Sequence, residues 1–288
     1  MSWAFTMQNF QDWFTQQWAI IWGRKINPEN TSWLMGPFGE LNGIGENFIY
    51  QLVEKENLIL KRNSNSKGLL HSFESLELTE LKLRNLSEKI IDFYEHTSNY
   101  ELKFRVKWNP FFKFFGWSVN QLFSQRINQL NIPTKNVEGE SLTSEIIELI
   151  CPKNGETIYT IWLRKFKSTE QIVYSGIYGI CRIPSGEICV KAVFPLPKGN
   201  ATIIMKPSVN QQNELVLDSS GKQFGDAGFY FLLNDAKGNF WAEFISSFTD
   251  KLIVSEKNGN LTAKQTLKLW NLKVAEFDYE LKKKMTHS

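Results

Sequence analysis

The chain has 288 residues, 42% of them hydrophobic and 22% charged, which excludes a disordered protein. A net charge of +3 gives no argument for a nucleic-acid partner. Three cysteines without finger spacing and three scattered histidines argue against zinc, so the sequence predicts no metal and no cofactor.

Residues 8–22 carry Phe10, Phe14, Trp18 and Ile21 at helical spacing with glutamines opposite, the pattern of an amphipathic helix docked on a core. Gln8, Gln11, Asp12, Gln16 and Gln17 interrupt the apolar run, so it does not read as a signal peptide. No stretch approaches the ~20 apolar residues of a membrane-spanning helix. The expected location is the cytoplasm, with Cys151, Cys181 and Cys189 as small buried thiols in a reducing compartment. A glycine-rich connector over 35–46 holds Gly43-Ile44-Gly45, but Phe48 stands where a dinucleotide fingerprint needs its third glycine. A tight turn is expected there. Asn57–Arg62 and Gly68–Phe73 read as a short hairpin. Residues 79–95 read as one helix, with Thr79 as N-cap and Leu83, Leu86, Ile90 and Phe93 on its apolar face.

The stretch 100–133 joins a mainly helical first part (1–133) to a stranded remainder within a single domain. Over 100–108, Leu102, Phe104 and Val106 alternate with Lys103, Arg105 and Lys107, which predicts a strand with a buried face and a cationic face. Pro110 opens a helix over about 113–130, and Pro133 ends it. Aromatic and basic side chains are dense here, and four phenylalanines around one turn cannot all face inward. Phe111 and Phe112 are therefore the predicted contact surface, at a cavity rim, a protein partner or a weak peripheral membrane contact.

From residue 144 the period changes to two. Strands are predicted at 145–150, 157–166, 171–182, 187–194, 201–206, 214–217, 228–233, 240–249, 252–256, 262–270 and 274–281, separated by turns such as Lys153-Asn-Gly155 and Pro184-Ser-Gly186. Short connections without helices require an antiparallel meander, and so long a sheet must curl or close. The expected fold class is α+β: a large curved antiparallel sheet or partly closed barrel over about 144–281, packed against the N-terminal helices.

No motif identifies a reaction, and no catalytic residue is assigned. Asp226, in a glycine-rich loop, has the sequence context of turn chemistry. The candidate ligand residues lie on the strands: Trp162 and Arg164 on one, Tyr178 and Arg182 on the next, and Lys191 on a third. Aromatic rings with interspersed cations suit a cavity for a hydrophobic or amphipathic small molecule with an anionic end. The reading is a binding module. An enzyme using the same cavity, with Asp226 or a tyrosine as acid or base, and an interaction module at a protein or membrane surface are the alternatives.

The order of features over 93–281 also resembles a bacterial domain of unknown function often fused behind NAD-binding dehydrogenase-like domains. Phe93-Tyr94 before the basic strand, Trp162-Leu-Arg164-Lys-Phe166, Phe194-Pro-Leu196 and Trp270-Asn-Leu272 carry the likeness. It implies no activity and no catalytic residue.

Overall fold

The computed structural model describes residues 17, 20–40, 46–62, 66–112 and 137–284. The helices expected over 8–22 and 113–130 fall wholly or mostly outside these residues.

Among the described residues, fourteen strands form one sheet: β1 (Arg24–Ile26), β2 (Ile59–Lys61), β3 (Tyr100–Trp108), β4 (Val137–Ile150), β5 (Thr157–Phe166), β6 (Ile172–Arg182), β7 (Ile188–Leu196), β8 (Gly199–Val209), β9 (Leu215–Asp218), β10 (Phe229–Asn234), β11 (Phe240–Phe244), β12 (Phe248–Lys257), β13 (Asn260–Leu269) and β14 (Leu272–Lys283). Ten of them, β3 to β9 and β12 to β14, close into an antiparallel barrel. The closure is a fork in β8. Its first half, Gly199–Ile203, pairs with β10, and its second half, Lys206–Val209, pairs with β9. β9 in turn pairs with β12, and β14 pairs with β3, so no described strand of the ring is left with a long free edge. The β10–β11 hairpin and β1 extend outward from the fork.

Three expectations about the strands need correction. The barrel does not begin at residue 144, because β3 is inserted between β4 and β14. The residues read as one strand over 240–249 are two: a turn in which the Phe248 N–H donates to the Ile245 carbonyl separates β11 from β12. The hairpin over 57–73 does not form. Its first arm, β2, adds to β4 instead, pairing Ile59 with Ile150.

Strict alternation decides which side chains fill the barrel. In β3 every second residue from Tyr100 to Trp108 is buried, and the residues between are exposed. The interior holds Leu102, Phe104, Val106, Leu142, Ile146, Phe194, Met205, Leu217 and Phe277. The outer wall of β3 and β14 sets Lys103 opposite Glu280, Arg105 opposite Asp278 and Lys107 opposite Glu276. Opposite charges across strands stabilise such a face in water. The same lysines and arginine at a bilayer midplane would each cost about 2–4 kcal/mol.

Elsewhere the outer wall is apolar and covered. Helix α1 (Asn47–Glu56) sets Phe48, Ile49 and Leu52 against Ile147, Leu149, Ile161 and Leu163. Leu34 and its neighbours cover Cys181, Cys189 and Ile204. The helix read over 79–95 is broken into α2 (Glu80–Asn85) and α3 (Glu88–Glu95). Ser87 causes the break: its Oγ caps α3 by accepting the Lys89 N–H and also donates to Glu256 of β12 at 2.7 Å. Helix α3 buries Ile90, Phe93 and Tyr94 in the same apolar cluster as the lumen residues. The chain at Gly68 passes so close to this helix that a Cβ there would lie 2.1 Å from the Tyr94 carbonyl oxygen.

Candidate ligand site in the barrel lumen

The register places Ser144 of β4 beside Arg164 of β5, and Arg164 beside Tyr174 of β6. Trp162 and Tyr178 lie on the same inward face, with Gly176 directly across from Trp162. A Cβ on Gly176 would approach Phe194 and Tyr174 ring atoms at 3.1–3.3 Å, so glycine leaves room for those rings. Trp162 donates its indole N–H to the Ser144 hydroxyl at 2.9 Å. That bond fixes the indole plane, and the Arg164 guanidinium stacks on it at 4.2 Å. The Tyr174 ring lies the same distance from Arg164, and Tyr279 lies at 5.8 Å.

Arg164 is only 8% exposed. It enters none of the ion pairs among the described residues, and its Nε has no hydrogen-bond partner. Stacking on two rings supplies about 0.5–2 kcal/mol for each contact. An unpaired buried charge costs on the order of several kcal/mol. The rings orient this cation without neutralising it.

On the far wall, Asp250 is 2% exposed. Gln265 donates to its Oδ2 at 2.7 Å, and Tyr279 donates to the Gln265 amide oxygen at 3.4 Å. Burial raises the Asp250 carboxyl to about 7 against the pull of the Gln265 bond, and Asp218 adds to the rise. Burial likewise raises the phenols of Tyr174 and Tyr178. Arg164 and Asp250 both line a cavity of about 90 Å³, whose other walls include Phe93, Tyr178, Phe194, Met205 and Leu252. A larger concavity of about 550 Å³ lies against the outer wall, among Lys103, Arg105, Lys264, Asp278 and Glu280. Its charges face one another across strands, as Lys264 and Asp278 do, and none is a buried charge seeking a partner.

Of the ligand residues predicted from sequence, Trp162, Arg164 and Tyr178 meet in the lumen. Arg182 shares their face but lies beyond the lumen at the end of β6, paired with Glu77 and the Gly186 carbonyl. Lys191 points outward and donates to the Trp33 and Met35 carbonyls at 3.1 and 2.9 Å, and burial lowers its pKa. Asp226 accepts the Lys222 and Gln223 backbone N–H groups, which is turn chemistry. Phe111 is 94% exposed, whereas Phe112 packs against the lumen cluster. Sequence reasoning missed Asp250, Gln265 and Tyr279.

A similar protein is known. The "Uncharacterized membrane protein YndJ" of Bacillus subtilis (strain 168) is 28% identical over 240 residues, 83% of this chain. The chain spans 41% of that relative's length. No family model and no solved structure matches the chain.

Proposed function

We propose that the barrel is a binding module for a small amphipathic molecule, whose anionic end pairs with Arg164 in the lumen. The observation that carries this reading is the buried, ring-stacked Arg164, which has no anionic partner among the described residues. A cavity of about 90 Å³ limits the apolar part to a few carbons, well below the 300–1,000 Å³ of typical drug-sized sites. The hydrogen-bond partner of Asp250 is the Gln265 amide, which does not carry protons, and this favours binding over acid–base catalysis. Saturation-transfer NMR with butyrate tests the reading. Transfer is expected with the native chain and lost in Arg164→Met, whose similar volume keeps the barrel folded. Equal transfer in both proteins would refute it.

A second observation supports a membrane-surface role. Asn109 bonds to the Lys273 and Val274 carbonyls, which sets the Pro110–Phe112 turn beside the β13–β14 turn. Phe111, Trp270 at 70% exposure and Leu272 at 58% thus share one end of the barrel with Lys273. The relative is described as a membrane protein. We place the charged barrel wall in water on the cytoplasmic side, with this end against anionic lipid. The native chain should co-sediment with phosphatidylserine vesicles, and a Phe111→Ser, Trp270→Ser double variant should not. Absence of native binding would remove this second reading and leave the lumen site intact.

A further inference from the structure

Among the described residues that line this cavity, Arg164 is one of two buried groups with incomplete hydrogen bonding. The other is Asp250, whose Oδ1 has no partner while its Oδ2 is held by Gln265. Order around the ring places them on opposite walls. Between β5 and β12 lie β4, β3, β14 and β13 on one side, and β6, β7, β8 and β9 on the other. The same cavity touches both residues, and its apolar walls between them include Tyr178, Ile203, Met205 and Leu252.

Such a site has two polar ends of different chemistry. The guanidinium offers only donors, and the carboxyl oxygen lacks a donor. We propose that the ligand is a short hydroxycarboxylic acid spanning the lumen, with its carboxylate on Arg164 and its hydroxyl on Asp250. This rests on the lumen reading above and adds the second anchor. A hydroxyl suits Asp250 better than an ammonium does. It can donate to the ionised carboxyl or accept from the protonated one, and a carboxyl poised near neutrality presents both forms. The cavity admits a ligand of only a few non-hydrogen atoms between the two ends, which excludes a fatty acyl chain.

Calorimetric titration of the full chain with matched pairs tests this: acetate against glycolate, propionate against 3-hydroxypropionate, and butyrate against 4-hydroxybutyrate. In at least one pair the hydroxylated acid should bind about tenfold more tightly, the effect of one net hydrogen bond in a dry site. Asp250→Leu should erase that preference, whatever its effect on the plain acid. Asp250→Asn, whose amide can still donate and accept, should keep it. If Asp250→Leu fails to fold, the native matched pairs and Asp250→Asn decide the matter. Binding of plain and hydroxylated acids with equal affinity in all three pairs would overturn the second anchor and leave the Arg164 reading standing. Failure of every acid to bind would overturn both.

Discussion

Asp250 makes a quantitative prediction about stability. Its carboxyl moves from an ordinary 3.8 in the unfolded chain to about 7 in the barrel. At about 1.4 kcal/mol per pH step, that difference is worth about 4 kcal/mol. The sign follows from proton binding. Between the two values the folded state holds the proton and the unfolded state does not, so this group lowers stability as pH rises from about 4 to about 7, with no further change above. Elsewhere, Glu40, Glu46 and Glu276 have lowered values through their lysine and arginine partners, and Asp92 through Tyr100 and Lys283, and they act in the opposite sense. They are common to native and variant chains and cancel in a difference. Asp250→Asn removes only the titrating group. Urea unfolding of both chains followed by circular dichroism at steps between pH 4 and pH 8 should show the variant gaining on the native chain by about 4 kcal/mol across that range. A difference that stays flat over the range would refute the assignment of Asp250 as a desolvated carboxyl without a cation beside it.

Other sites give simpler outcomes. Gly176→Val should intrude on Phe194 and Tyr174, cost about 1–3 kcal/mol by overpacking and abolish butyrate binding, read by thermal unfolding and calorimetry. Lys191→Met leaves the Trp33 and Met35 carbonyls without their donor, and a loss of about 1–3 kcal/mol in urea titration is expected with lumen binding unchanged. Cys181 and Cys189 are cross-strand neighbours and free thiols, raised by burial to about 11 and about 12. They should resist alkylation in the folded chain and react fully in urea, as mass spectrometry would show.

Side-chain parity was the most legible feature of the sequence. The alternation of Leu102, Phe104 and Val106 with Lys103, Arg105 and Lys107 gave both faces of β3, and the same rule put Trp162 with Arg164. Parity states the face but not the depth, which is why Arg182 appeared to join Tyr178 although β6 carries it out to Glu77. Lys191 has the opposite parity to Ala192, whose side faces the lumen, so the alternation itself argued against it. Asp250 was hidden by the turn at 245–247, which has no glycine, proline, asparagine or aspartate to mark it. Extending the alternation back from Val254 through Leu252 would have brought Asp250 onto the inward face. Non-local pairing was not legible at all. Nothing near Ile59 specifies β4 as its partner, and the closure of β14 on β3 is visible only afterwards, in the charges that face each other across it.

The central claim is that Arg164 is an anion receptor inside the barrel. A crystal structure of the chain grown with saturating butyrate tests it most directly. The account predicts a carboxylate within hydrogen-bond reach of the Arg164 guanidinium, its carbons directed between Tyr178 and Leu252 toward Asp250. A lumen that holds only water beside Arg164 under those conditions would contradict it.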